Sequence, residues 1–436
     1  ADLLRVTGTA TLNGGTLVAS NLSGNDYVLG QTYQVLSAEG GITGGFAAID
    51  GSAISPFLSL SLLQAANTVS IDVARGASLA SAGTTANQRA AAAAVDGLAD
   101  TNTLVLTATQ LSLAEAPAAF DSLSGEVHAS ARQVLLEGSR LVRDAALDRA
   151  AGGGAFGRQA EGATGAWIQV QHQGGDFGGD GNAAEVRYNS DAVLVGVDHV
   201  FGGWRVGFFG GAGDSDFNVG ERGSRGESSN RHAGIYVGNA WGALGLTAGY
   251  SQSWNRVEID RKAAYRGFSD ALSSRYDADT SQLFADLGYR FDAGSIGIEP
   301  YLQYARVEVS TDGFSESGGA AALAGRGGDA TVDMTTVGLR FGADLSAENQ
   351  EQSWLSLRGN LGYRHADDQV QRAQLAFAGG QSFEVSSPAI RDNALLAEFG
   401  VAARTSANSL LELGVSHLES DDAVDTGVNA RFTINF

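Results

Sequence analysis

The chain of 436 residues has no cysteine, only 4 prolines, and nowhere the run of about 18 apolar residues that a membrane-spanning helix needs. Without cysteine there is no disulfide framework and no thiolate metal site. Its absence also suits a chain that crosses an oxidising compartment unfolded, where a disulfide would lock in structure. Lacking a long apolar run, the chain offers no transmembrane helix, but a membrane β-barrel is not excluded. Barrel strands alternate lipid-facing and lumen-facing residues, so their mean hydropathy stays near zero, and here it is −0.06. Positive charge is scarce: 28 Lys and Arg stand against 49 Asp and Glu, a net charge of −21 that makes nucleic acid a poor partner. The acidity has two readings, plain solubility or the acidic loops of an outer-membrane barrel. Ala1-Asp2-Leu3-Leu4-Arg5 lacks the basic start and apolar core of a secretory signal. Either the chain is cytosolic or a preceding part has been removed, and the features at the other end favour removal.

Four textures follow one another. Residues 1–76 carry short alternating runs between glycines, among them Leu4-Arg5-Val6, Thr16-Leu17-Val18, Tyr33-Gln34-Val35-Leu36 and Val69-Ser70-Ile71-Asp72-Val73. They read as rungs of a β-solenoid, with a small β-sandwich as the alternative. Residues 77–124 read as a helical connector, on the helix-forming Asn87–Val95 stretch and on Pro117 at a helix start. Residues 125–160 comprise a long helix and a glycine-rich exit linker. Within it Val127, Ala131, Val134, Gly138, Leu141 and Ala145 recur at spacings of three and four, while Arg132, Arg140, Arg143 and Arg149 stud the segment. About 24 residues at 1.5 Å each give a rod of roughly 36 Å, longer than a hydrocarbon core of about 30 Å. So many charges cannot face lipid. The helix either lies exposed on a soluble domain or crosses inside a polar pore.

From residue 161 to 436 the alternation persists. Leu283, Ala285, Leu287 and Tyr289 alternate with Phe284, Asp286, Gly288 and Arg290. Leu355, Leu357 and Leu361 alternate with Ser356, Arg358 and Asn360, and Val337, Leu339 and Phe341 with Gly338 and Arg340. Starts near 165, 189, 204, 228, 244, 277, 296, 331, 353, 392, 409 and 424 make about twelve strands, an even number suited to a closed single-chain barrel. Connections alternate too. Short turns such as Phe201-Gly202-Gly203-Trp204 contrast with long polar links expected near 220–230, 261–275, 312–330 and 366–390. Trp204, Trp241, Tyr289, Trp354, Tyr363 and Phe436 lie near strand ends, where an aromatic girdle would sit. Periodicity alone cannot tell inside from outside. Strand number, loop asymmetry and the terminal phenylalanine favour aliphatics outward, with Asp286, Arg340, Arg358, Glu398 and Glu412 on a charged lumen wall. The expected fold class is therefore all-β: a transmembrane antiparallel barrel of about 12 strands holding a lumenal helix, preceded by a solenoid-like segment and a helical connector.

The order of these motifs resembles the C-terminal portion of monomeric (type Va) autotransporters. Tyr33 to Phe46 is similar to the terminal, autochaperone-like rungs of their passengers. Leu123 to Ser130 and Arg143 to Arg149 resemble the two ends of the pore helix. Phe432-Thr433-Ile434-Asn435-Phe436 is similar to the assembly signal of outer-membrane barrels, carried on Phe432, Ile434 and Phe436. The resemblance implies a translocator that secretes or displays its own passenger, inserted as a monomer in outer-membrane lipid by the barrel-assembly machinery with periplasmic chaperones. Arg132, Arg140, Arg143 and Arg149 would then set the fit of the helix, against Asp286, Glu398 and Glu412 on the wall. Some family members cut their passenger at an asparagine inside the pore. Residues 103–181 contain no Asn, so that route is not expected here, and Asp144 and Asp148 are weaker substitutes.

No other chemistry stands out. The six His are scattered and no G-x-S-x-G elbow occurs, so no catalytic group, cofactor or metal is expected. Gly178-Gly179-Asp180-Gly181-Asn182 is too short for a calcium loop. Two other functions stay open: a porin-like channel, and the membrane anchor of an enzymatic passenger upstream of residue 1.

Overall fold

The computed structural model describes residues 2–21, 26–152, 161–293, 296–345, 354–367, 370–389, 393–421 and 423–436. The expected exit linker after Gly152 falls mostly outside these.

At the N-terminus β1 (Leu4–Val6), β2 (Ala10–Asn13) and β3 (Thr16–Val18) form one turn of a coil. Then β4 (Thr32–Ala38), β5 (Ile42–Gly45) and β6 (Ala48–Asp50) repeat it, each strand pairing in parallel with its counterpart one turn earlier. Parallel stacking of successive short strands is the solenoid pattern, not a sandwich. The hairpin β7 (Leu58–Gln64) and β8 (Thr68–Arg75) closes the coil by pairing antiparallel with β4.

Helices α1 (Ala86–Asp96), α2 (Thr103–Ala108) and α3 (Ala116–Ser124) follow. A capping box from Thr85 and Gln88 starts α1, the Asn102 side chain caps α2, and a proline in the first turn starts α3. Gly125, at φ 67°, ends α3 in the left-handed conformation. Helix α4 (Val127–Ala150) then runs 24 residues.

The barrel strands are β9 (Thr164–Phe177), β10 (Val186–Phe201), β11 (Trp204–Val219), β12 (Ser224–Trp241), β13 (Leu244–Tyr265) and β14 (Phe268–Tyr289). After the short β15 (Phe291–Ala293) comes β16 (Ile296–Thr311). The loop strands β17 (Phe314–Ser315) and β18 (Leu323–Gly325) precede β19 (Gly328–Asp344) and β20 (Leu355–Ala366). A second pair of loop strands, β21 (Val370–Phe377) and β22 (Ser382–Ala389), precedes β23 (Asn393–Ser406), β24 (Ser409–Ser420) and β25 (Ala423–Asn435). Neighbours pair antiparallel in sequence order. β25 closes onto β9, from Asn435 opposite Gly165 to Ala423 opposite Phe177, and β14 bridges to β16. Leaving aside the short β15 and the loop strands, twelve strands make a closed ring, as the alternation led us to expect.

The outward face changes chemistry along each strand. Near the short turns sit Phe201, Trp241, Tyr289, Phe291, Trp354 and Phe436, all exposed. Aliphatics follow: Val193, Val195 and Val197 on β10, Leu283 and Leu287 on β14, Leu302 on β16 and Leu395 on β23, with Phe399 among them. The stripe ends at polar residues, among them Asp191, Asp214, Asp279, Asp333 and His417, with Trp254 at the same height. An apolar belt bounded by aromatics and then by charge is the signature of a barrel in a bilayer.

Two of the four expected long loops are not loops. Near 220–230 and 261–275 the strands continue, so β12, β13 and β14 project beyond the belt to tight turns at 220–223 and 266–267. Around 224–230 both faces are polar, which reads as loop in sequence, and around 261–275 the outward face is polar while Ala263 and Leu272 point inward into the apolar core at the loop end. The projecting hairpins carry cross-strand ion pairs on their wet face: Arg225–Asp260, Arg256–Asp277 and Arg275–Glu258. The strands placed near 228 and 277 accordingly begin earlier, at 224 and 268. The other two links do hold long loops, which form the four-stranded sheet β17-β18-β21-β22.

That loop sheet, helices α1–α3 and the end of the coil share one apolar core. Leu104, Leu111, Phe120 and Leu123 pack with Phe57 and Val73 on one side and Leu323, Leu375, Phe377 and Val385 on the other. The core closes the loop end of the barrel like a lid.

Candidate pore-sealing site

Helix α4 lies inside the barrel, its N-terminus under the lid and its C-terminus at the short turns. It is not the one-striped amphipath its spacing suggested. Arg140, Arg143 and Arg149 are as buried as Val134, Leu136 and Val142, so its whole circumference is enclosed by wall, lid or lumen.

The helix arginines find partners other than those expected. Arg149, 1% exposed, donates from Nε and Nη2 to Asp198 at 2.6 and 2.9 Å. Asp198 also accepts from Arg205 at 3.0 Å and from the Tyr236 hydroxyl at 2.8 Å, and Tyr236 accepts from Trp167 Nε1. One fully buried carboxylate thus anchors two guanidiniums and a phenol, a network that holds only while every member is satisfied. Glycines make room for it. A Cβ at Gly165 would overlap the Arg149 guanidinium, and one at Gly238 the Ala150 carbonyl. Higher up, Arg140 pairs with Asp425, whose second oxygen accepts from the Tyr188 hydroxyl at 2.5 Å. Glu137 takes both donors of Arg364 at 3.0 Å, a bidentate pair. Arg143 donates to Gln282 at 3.1 Å. Arg132 donates to Thr311 and the Arg372 carbonyl near the lid.

The wall carboxylates named from sequence do face the lumen, but mainly bind wall groups. Asp286 takes a bidentate pair from Arg340, which also reaches Glu299. Glu412 binds Arg431 at 2.7 Å and Arg358 at 3.2 Å, and Glu398 accepts from Asn360. Both Arg358 and Arg431 also approach Asp148 of the helix, at 3.7 and 3.5 Å. Asp286, Glu398 and Glu412 were expected to set the fit of the helix; the wall carboxylates that pair directly with its arginines are Asp198 and Asp425. Strand parity puts Asp198 and Asp425 on the lumen face, beside Tyr188 and Arg431, and was the signal that could have found them. Which wall residue stands level with which helix residue depends on barrel stagger, which parity does not carry.

At the outer end the helix is tied to the lid. Glu316 accepts from Arg261 at 2.7 Å and from the Leu323 amide, and sits 2.9 Å from His128 Nε2. Burial alone would push the Glu316 carboxyl up, yet His128 and Arg261 pull it down to about 2. Glu126 accepts from the Ala184 amide, Arg222 and Asn87, joining connector, barrel and helix start. Burial there outweighs these partners and raises its carboxyl. The Gly178–Asn182 stretch is a turn pinned to the connector, where Asn182 Oδ1 accepts from the Asn87 amide. Phe432 and Ile434 face outward on β25, and Phe436 ends the chain beside Thr164, with which it exchanges backbone hydrogen bonds.

Residues 166–416 match the family model described as Autotransporter beta-domain. Two proteins of Serratia marcescens, each named "Extracellular serine protease", are similar in sequence. One is 30% identical across 98% of this chain and 46% of its own length, the other 32% across 72% and 30%. The chain thus spans less than half the length of the curated relatives it matches. The translocator domain of autotransporter NalP from Neisseria meningitidis is similar in fold, with a TM-score of 0.55 at 14% identity, covering 69% of this chain and 97% of that one. The β domain of the Bordetella autotransporter BrkA aligns at a TM-score of 0.43 and 15% identity, over 63% and 100%. With more than half of its length matched and a closed twelve-stranded barrel around a helix, the chain belongs to the autotransporter family, as an outer-membrane translocator barrel.

Proposed function

We propose that this structure is the translocator at rest after secretion. The barrel sits in the outer membrane, helix α4 closes the lumen its passenger has crossed, and the coil and connector stand outside as the end of that passenger. The observation that carries this reading is the helix itself: its charged residues are buried inside the charged wall, where Arg149 and Arg140 meet Asp198 and Asp425. A helix so charged is stable at membrane depth only within such a lumen. Arg132 and Arg143 contribute through neutral acceptors. Asp286, Arg340, Arg358, Glu398 and Glu412 stiffen and polarise the wall. Phe432, Ile434 and Phe436 serve as the signal read by the barrel-assembly machinery, with periplasmic chaperones holding the chain before insertion. The passenger of the whole protein is a serine protease, as the names of the two Serratia relatives suggest.

Deleting residues 127–150 tests the plug. In planar bilayers the intact chain should pass little current, and the deletion should open wide, steady channels. Equal, wide conductance from both would replace this reading with a porin.

A further inference from the structure

The helix does not fill the barrel. Around its lower half lies a cavity of about 670 Å³, lined by β9, β13, β14, β16, β19 and β20 as well as by β23, β24 and β25. It is lined at one end by the short-turn residues Gly203 and Gly242 and at the other by Gln173, Ser416 and Gly427, and Asp144 and Asp148 of the helix face it. Its long axis therefore runs from the short turns to the height of the outer polar ring. A separate second cavity, of about 20 Å³, lies farther outward and reaches Ser420 and Ala423 at the turn between β24 and β25. That volume suffices for about one water.

Glu137, Tyr188, Arg364 and Asp425 line the small cavity, and Arg140 lines the large one. They form the two contacts already described, the bidentate pair Glu137–Arg364 and the cluster Arg140–Asp425–Tyr188. All five are buried, and they stand at one height: Asp425 is two residues beyond Gly427 on β25, and Arg364 is near the outer end of β20.

We propose that this collar, and not the bulk of the helix, is the seal against small ions, so that the plugged barrel is a shut ion channel gated by its own salt bridges. The inference rests on the plugged-lumen reading. Below the collar, water and ions from the short-turn side have space to reach it. Above it, one water-sized cavity separates it from the outer turn. Because each collar charge is held by its partner, the pairs fill the constriction and offer a passing ion no free charge, so ions cross only when the pairs separate. The two halves are also electrically self-contained. Glu137 and Arg140 are three apart on the helix, so when their wall partners are removed they can neutralise each other.

The test is the double variant Arg364→Ala/Asp425→Ala in the otherwise intact chain, measured in planar bilayers with potassium chloride as the probe. Current through the variant should exceed that of the unaltered chain by at least about tenfold, yet stay well below that of the 127–150 deletion, because the helix still occupies the lumen. The exposed variant Arg256→Gln should leave the current unchanged. Should the double variant fail to assemble, as judged by loss of heat-modifiable mobility, Asp425→Asn keeps the side-chain volume and should still raise the current above background. A deletion that opens wide channels while assembled collar variants stay shut overturns the collar and spares the plug. A deletion that opens nothing removes the plug reading itself.

Discussion

Replacing Asp198 with alanine should loosen the lower end of the helix and cost about 3–5 kcal/mol, because it strands buried guanidiniums without their carboxylate. Asp198 has no exposed side-chain surface and accepts from Arg149, Arg205 and Tyr236. Its loss would leave two cations close together in a closed space, where water screens them poorly. The measure is the temperature at which the refolded barrel loses its compact mobility in detergent gels. That temperature should drop sharply for Asp198→Ala. It should barely move for Asp277→Ala, which breaks the exposed Arg256–Asp277 pair and, as a surface pair, contributes at most about 1 kcal/mol. Equal shifts in the two variants would mean that the lumen network does not hold the helix.

A charge on the outer belt should be nearly as costly. Leu302 of β16 is 47% exposed and lies well inside the aliphatic stripe, with Leu287 of β14 opposite it on one side and Val337 of β19 on the other. Leu302→Arg should destabilise the folded barrel in lipid by about 2–4 kcal/mol, the cost of a guanidinium near the bilayer midplane. Glu308→Arg, on β16 beyond the polar ring, should shift stability by less than about 1 kcal/mol, because its side chain stays in water. Urea titration of both variants in lipid vesicles measures this. A tolerated Leu302→Arg would mean that this face does not touch acyl chains.

Much of the barrel was legible in the sequence because its physics is local. The alternation Leu283, Ala285, Leu287 against Phe284, Asp286, Gly288 is enforced by the pleat, and it survives any arrangement of the strands around the ring. The tight turn at Gly202-Gly203, with both φ positive, is likewise local. Where outer and inner faces were both polar, as in Arg225–Arg231, the alternation vanished from view and extended strand looked like loop, while in Arg256–Lys262 it persisted in reverse, with Val257 and Ile259 inward and the charges outward. The site was harder. Parity placed Asp286, Glu398 and Glu412 on the lumen wall, but not the height at which each meets the helix. That height comes from strand stagger, a property of the closed ring. The helix stripe misled for a related reason: a helix enclosed on all sides need not keep its apolar residues on one face, provided each charge finds a partner. The strands at 314–325 and 370–389 belong to the lid, whose sheet forms only when separate loops meet over the connector.

A charged helix sits in the lumen of a lipid-embedded barrel, and one crosslink tests that placement directly. The chain has no cysteine, so an introduced pair reports without background. A Cβ at Gly138 of the helix would lie 3.9 Å from Ser190 Oγ on the wall, within reach of a disulfide between Gly138→Cys and Ser190→Cys. In isolated outer membranes under oxidising conditions, the double variant should form this bond nearly completely and reversibly with reductant. An assembled, heat-modifiable barrel whose two cysteines stay free would place the helix outside the pore and contradict the account.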